Sequence, residues 1–358
     1  MRVTEDYYDL LDNNQKHQRR VRYSGTHPKK YNEKYKELNP DKYPDTIEKV
    51  ISKGSTPVGM HLSIMVDEIL EFFDIQPGQI GLDCTLGYGG HSSKMLEKLQ
   101  GQGHLYGLDV DPIEIVKTRE RLLNKGYDEN ILTIKQLNFR NIDLLSTEVG
   151  KFDFVLADLG VSSMQIDNPE RGFSYKKEGP LDLRLNPNIG VSASERLLEL
   201  DKEEIINMLE ENSDEPYAKE IGTNIYSNIR SGNIIDTTTK LYKIIEKTLS
   251  FVDEKHRKDI VNKSSARVFQ ALRIDVNQEF EVLYEFLEKL PTILNPNARV
   301  AILTFHSGED RLVKKAFKQM KYDGIYKDVA RDVIRPSKEE CHKNPRAKST
   351  KMRWAIKS

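Results

Sequence analysis

The chain has 358 residues, 37% hydrophobic and 31% charged, with a formal net charge of −1 at pH 7. That length allows one large or two smaller cores, and the balanced total charge neither demands nor excludes a nucleic-acid partner. Two distant cysteines, Cys84 and Cys341, make no disulfide framework or zinc-ligand spacing. Without a membrane-length apolar run or a signal-peptide core at the N-terminus, a cytoplasmic protein with no metal is expected.

Charge is unevenly placed. From Asn13 to Lys36 there are eight Lys or Arg against one Glu, and from Ile334 to Ser358 eight against two. Two basic ends on a neutral chain point to a polyanionic partner. Residues 1–57 are polar, contain six tyrosines and lack periodicity, which predicts a basic, aromatic N-terminal arm. Its segment Tyr23–Tyr31 interleaves cations with aromatics, a mixture suited to RNA.

Regular structure is expected from about residue 58. Leu62, Met65, Val66, Ile69 and Leu70 form a helical stripe. Strands follow at 79–84, 103–109, 131–136 and 152–158, alternating with helices at 91–100, 112–125 and 139–149. This alternation implies a parallel α/β sheet with helices on both faces. From 167 to 270 no core strand is evident. A Gly- and Pro-rich loop at 167–188 leads into helical periods at 192–211, 214–230 and 237–250, read as a mostly helical insertion. The α/β pattern resumes with a helix at 277–290, a strand at Arg299–Phe305 and a helix from Glu309. Residues 58–166 and 271–333 are thus expected to form the core, with 334–358 a basic C-terminal segment.

The chemistry concentrates at Leu82–His91, where a short apolar strand meets a turn with glycines at 87, 89 and 90. Glycine lets the backbone turn sharply and approach a ligand, and the next helix offers free N–H groups. Asp109 ends the second strand, 20 residues beyond Gly89, the usual place for a carboxylate that binds ribose hydroxyls. Alone, this fits both dinucleotides and S-adenosylmethionine (SAM). Three features favour SAM. Ser92 breaks the full G-x-G-x-x-G pattern, Asp158 stands at the carboxyl edge of the fourth strand, and the helical block suits a large substrate. His306, Ser307 and Asp310 sit together in one local segment without a serine elbow, so no hydrolytic triad is expected.

Several runs together resemble one family. They include His61–Glu68, Asp83–Ser92, Leu108–Pro112, Asp158–Gln165, Arg171–Ser174, Gly179–Arg184, Arg267–Ile274, Phe305–Ser307 with Glu309–Arg311, and Asn344–Ala347. In this order they are similar to the MraW/RsmH family of bacterial SAM-dependent methyltransferases, which modify N4 of a cytosine in the decoding region of 16S rRNA. The resemblance implies a Rossmann-like class I methyltransferase sheet, SAM as co-substrate, and 16S rRNA or the small ribosomal subunit as partner. It places Gly89, Gly90 and His91 at the methionine end of SAM, Asp109 at its ribose and Phe139 near its adenine. Asp158 and Gln165 would close the site beside the methyl group, with Asp158 accepting an N–H bond from the target amine. Phe173 and Tyr175 are candidates for base stacking, and Arg171, Arg184, Arg267 and Arg273 for phosphate contact. The chain departs from the family pattern at Tyr88, Met164 and Gly308, where Arg, Pro and Leu are usual. It also carries the arm. Two further readings therefore stay open: a methyltransferase for another RNA site, and a ribosome-associated RNA-binding protein that retains the fold.

Overall fold

Both faces of the central sheet are covered, which is why its strands read as apolar runs. The structure, a computed structural model, describes residues 63–358; the arm at 1–57 lies outside the described residues. The sheet is built from β1 (Ile80–Asp83), β2 (His104–Asp109), β3 (Leu132–Gln136), β4 (Phe152–Asp158), β5 (Leu294–Thr304), β6 (Tyr326–Val329) and β7 (Lys351–Lys357). Their order is β3-β2-β1-β4-β5-β7-β6. Strands β1 to β5 run parallel, and β7 is antiparallel to both β5 and β6. The expected Rossmann-like α/β sheet is present.

The period-two alternation of the strands sorts their side chains onto two faces. Val155, Ala157, Val300 and Ile302 pack with α4 (Ile142–Val149), α11 (Glu279–Lys289) and α12 (Ser307–Tyr322). Phe154, Leu156, Ala301 and Leu303 face the other way. They pack with α1 (Val66–Phe73), α2 (Gly90–Leu99) and α3 (Pro112–Asn124). Register brings the carboxyl ends of the strands to one edge: Asp83 lies beside Gly107, and Asp158 beside Leu303. The chain leaves β1 for β2 on one side and reaches β4 on the other. The crevice at this reversal of strand order is where doubly wound sheets bind ligands.

After β4 come the short α5 (Ser163–Asp167) and a helical block with its own core. The block contains α6 (Ala193–Glu199), α7 (Lys202–Ser213), α8 (Ala218–Arg230), α9 (Thr238–Thr248) and α10 (Glu254–Asn277). Leu197, Ile205, Leu209, Ile221, Ile225, Leu241, Ile245 and Leu272 fill that core.

Three expectations need correction. The helix expected at 192–211 is two helices, because Asp201 starts a second one: its side chain accepts from the Glu204 N–H, and Glu204 accepts from the Asp201 N–H. Helix α10, 24 residues long, was not expected, and it runs through the boundary at 270/271. Its first two turns are charged and its buried face begins at Val261, so the apolar period starts late. Lastly, 334–358 is not a separate segment. It contributes α13 (Lys338–Lys343), a 3-10 turn at Pro345–Ser349 and β7, whose Met352 and Ala355 are fully buried. The cations Lys351, Arg353 and Lys357 hide the strand alternation, and Arg353 is buried against Asp310 at 2.6 Å. No described helix is long and apolar enough to cross a membrane.

Candidate active site

The turn after β1 is held on both sides by β4 and β2, the strands that flank β1. Cys84 N–H donates to Leu156 O, Leu86 N–H to Leu108 O, and Gly89 N–H to Leu86 O. Thr85 Oγ1 accepts from Asp158 N–H at 2.7 Å, tying the turn to the end of β4. Gly87 and Gly89 have φ of +48° and +78°, the left-handed region in which a Cβ is costly.

Above the turn lies a cavity of 470 Å³, of the size that takes a nucleoside-bearing ligand. Gly90, His91, Asp109, Phe139, Asp158 and Gln165 all line it. Gly89 does not. A Cβ on Gly89 would meet Thr118 at 2.8 Å and Leu122 at 3.1 Å, so this glycine faces α3. Gly89 supports the turn against α3, and its expected place at the methionine end rests on the resemblance alone.

Asp109 is locked by two backbone donors, Gly87 N–H at 2.7 Å and Asp111 N–H at 2.9 Å. Burial pushes its carboxyl up to about 6, and the neighbouring Asp111 and Glu114 push the same way against the two hydrogen bonds. Phe139 follows β3 in a 3-10 turn and meets Phe286 edge-on at 5.1 Å. Val282 and Leu283 line the cavity with it, an apolar slot at the end of β3. Gln165 is buried with both ends of its amide engaged: Nε2 donates to Asp111 Oδ2, and Oε1 accepts from Ser162 N–H, each at 2.8 Å. It shapes the wall, and the capping box of α5 fixes it there.

Asp158 ends β4 with its side chain 23% exposed. Its Oδ2 stands 3.7 Å from His91 Nδ1, while Oδ1 is buried without a hydrogen-bond partner. Burial is the main force raising this carboxyl to about 6; His91 opposes it, and Asp83 and Glu309 add to it.

The structure also brings in residues that sequence reasoning left unassigned, together with Arg273, which that reasoning read as a phosphate contact. Asp83 is buried at the end of β1, accepting from Ser92 Oγ at 2.6 Å and Thr85 N–H at 3.1 Å. Its carboxyl is raised by burial. On the opposite wall, Arg273 donates to both oxygens of Glu279 at 2.8 Å. Beside them Glu309 accepts from Phe305 N–H. Burial would raise Glu309, but His306 and Arg273 outweigh it and hold the carboxyl below its usual range. Glu279, His306 and Glu309 place ligand atoms within 4.8 Å of one another; the guanidinium of Arg273 already supplies positive charge there. Pro345, Arg346, Lys348 and Ser349 complete the mouth. They belong to the segment expected to be separate from the core.

Most of the phosphate and stacking candidates are engaged within the protein. Arg171 is buried and spent on Asp111 at 2.6 Å and on the carbonyls of Arg184 and Leu185. Arg184 pairs with Asp182, and Arg273 with Glu279. Arg267 lies 3.7 Å from the buried Glu215. Phe173 is in the insertion core, and Tyr175 stacks on Tyr242 at 5.7 Å. All these residue types serve packing as well as RNA contact, and only their surroundings separate the two. Asp310 pairs with Lys351 and Arg353, leaving no triad with His306 and Ser307.

Two of the departures have local explanations. A Cβ on Gly308 would come within 2.6 Å of the Phe280 ring, so Phe280 occupies the room a leucine would need. The Arg121 guanidinium sits 3.4 Å over the Tyr88 ring, and Arg121 donates to Tyr88 O. Met164 is buried, and nothing in the structure explains its choice over proline.

Comparison with known proteins gives a consistent answer. A family model described as the MraW methylase family matches residues 59–358. The chain is 65% identical over 348 residues to Ribosomal RNA small subunit methyltransferase H 1 of Agathobacter rectalis, covering 97% of this chain and 100% of that protein. It is 66% identical over 342 residues to the protein of the same name from Lachnoclostridium phytofermentans, covering 96% and 93%. Ribosomal RNA small subunit methyltransferase H of Clostridium botulinum is 36% identical over 312 residues, covering 82% and 97%. The first two alignments leave too few residues unmatched to omit the N-terminal arm.

Proposed function

The chain belongs to the MraW methylase family, a family of SAM-dependent methyltransferases, and on that premise we propose that it methylates N4 of a cytosine in the decoding region of 16S rRNA. The observation that supports this most is a carboxyl, Asp158, at the cavity end of β4 and linked through Thr85 to the glycine turn. The names of the relatives supply the small-subunit rRNA. The partner is the small ribosomal subunit or its RNA, and the site of action the cytoplasm.

The residues present fit the methyl donor. Asp109 offers a carboxyl for ribose hydroxyls, Phe139 with Val282 and Leu283 an apolar slot for the adenine, and Gly90 a wall without a side chain. When bound, SAM supplies an activated methyl on a sulfonium, so the protein's task is alignment and proton removal. The cytosine amine is a weak nucleophile because its lone pair is delocalised into the ring. A hydrogen bond from N4–H to Asp158 localises that pair, and the carboxylate then takes the proton. The target base has to leave its stack, which costs little in a single-stranded loop. The helical insertion beside the cavity is the element for recognising the RNA, with Lys348 at the mouth and the basic arm adding charge.

The test uses small subunits and free 16S rRNA from a strain lacking this gene. They are incubated with the purified full-length protein and isotopically labelled SAM, and nuclease fragments are mapped by mass. One labelled N4-methylcytidine in the decoding region is expected. Label at another site replaces the target, and no label in either substrate sinks the rRNA reading.

A further inference from the structure

His91 stands at the start of α2, 8% exposed, and its Nε2 lies 2.9 Å from the carbonyl oxygen of Ile64. A carbonyl only accepts hydrogen bonds, so Nε2 carries the hydrogen. The neutral ring then has its lone pair on Nδ1, and Nδ1 is the atom facing Asp158 Oδ2 at 3.7 Å. The backbone thus sets the tautomer, with a base turned towards the carboxyl. Two acceptors that face each other attract only when one proton lies between them, so the pair is built to hold a proton rather than a fixed hydrogen bond.

The charges around it agree. Asp83 from β1 and Glu309 from α12 face Asp158, and Glu340 from α13 lies near His91. Of the described groups acting on Asp158, Asp83 and Glu309 raise its carboxyl and His91 lowers it. Asp158 Oδ1 has no donor of its own, which leaves an isolated carboxylate poorly satisfied.

We infer that His91 is a positioning residue for methyl transfer, taking on Nδ1 the proton that Asp158 receives from the target amine. This rests on the reading of Asp158 as the acceptor of that proton. The balance is simple. The amine nitrogen forms a new N–C bond while the S–C bond of the donor breaks, its electron pair staying on sulfur. The nitrogen then holds one proton too many, which passes to Asp158 Oδ2 and on to Nδ1. An imidazolium and a carboxylate remain, and the imidazolium loses the proton to water when the products leave.

The test compares wild type with His91→Gln, whose amide keeps a donor for Ile64 O and has no basic nitrogen. Single-turnover rates on small subunits from the deletion strain are measured from pH 5 to 9, with S-adenosylhomocysteine affinity measured alongside. Wild-type rate is expected to fall below pH about 6 as Asp158 protonates. The variant's rate at pH 7 drops at least about tenfold, and its affinity stays within about threefold. A rate like that of wild type overturns the inference. So does a rate that falls only in step with affinity, which makes His91 a cofactor contact. If the glutamine variant does not fold, His91→Asn takes its place under the same criteria. A separate readout needs no activity: ¹⁵N NMR of the imidazole at pH 8 is expected to show the Nε2–H tautomer, and the Nδ1–H tautomer overturns the proposal. If wild type methylates no small-subunit RNA, the functional reading fails, and the tautomer measurement still judges His91.

Discussion

Two carboxyls at the site, Asp109 and Asp158, are raised from 3.8 to about 6, burial being the largest cause in both. Each therefore holds more protons in the folded than in the unfolded state between those values. Stability from these groups is gained as pH falls through about 6 and is lost above it. Neutral pH is where the site strains the fold, and it is also where the proposed role of Asp158 as acceptor requires it ionised. Replacing Asp158 by Asn removes the buried charge while keeping the shape. At pH 8 the unliganded variant is expected to be more stable than wild type by roughly 1–3 kcal/mol, with the gap closing as pH falls below about 6. Turnover is expected to drop at least about 100-fold, with S-adenosylhomocysteine affinity little changed. Thermal melts across pH and single-turnover rates measure both. A variant less stable at pH 8, or one that still turns over, makes Asp158 a structural residue.

At the scale of elements, the turn between β1 and α2 separates two glycines that look alike in the sequence. A Cβ on Gly87 finds its nearest neighbour, Thr85 O, at 3.8 Å, whereas one on Gly89 is pressed against Thr118 and Leu122 of α3. Gly87→Ala is expected to cost about 1–2 kcal/mol, the backbone strain alone. Gly89→Ala is expected to cost more, by at least about 1 kcal/mol, since overpacking adds to that strain. Urea melts of the two variants decide, and equal losses would show that α3 yields freely. Other element boundaries were written locally and passed over. Asp201 with Glu204, like Ser192 with Glu195, is a capping box four residues long, so the division of α6 from α7 was legible. The start of α10 was not, because its first turns are held by caps and charge and its apolar face comes later.

For the whole molecule, the last strand decides whether the sheet closes. β7 lies between β5 and β6, and among the described residues β6 has no other strand partner. A chain ending at Thr350 loses both ladders and uncovers an interior strand, β5. It is expected to show no cooperative unfolding transition by circular dichroism. A sharp transition near that of the full chain would mean the sheet stands without its last two strands. The described core and insertion cluster as one unit, His61–Ser358, with α10 running from the insertion towards the core. A helix of 24 residues is a stiff connection, so the helical insertion is tied to the sheet that carries the candidate site.

The sequence alone determined the alternation of strands and helices, the glycine turn, and the carboxylates Asp109 and Asp158 at the strand ends. Those signals are local, set by side-chain period, by left-handed backbone at Gly87 and Gly89, and by which residue ends a strand. It also carried the family's ordered motifs, and with them the cofactor. What an ionisable side chain does with its charge was decided only by the tertiary structure. Arg171 is neutralised by Asp111 from 60 residues away, and Asp158 meets His91 across 67. Strand β7 was hidden for the same reason, since its cations read as surface until Asp310 buries Arg353. Charge takes its meaning from burial and partners, and those are settled by how distant segments pack.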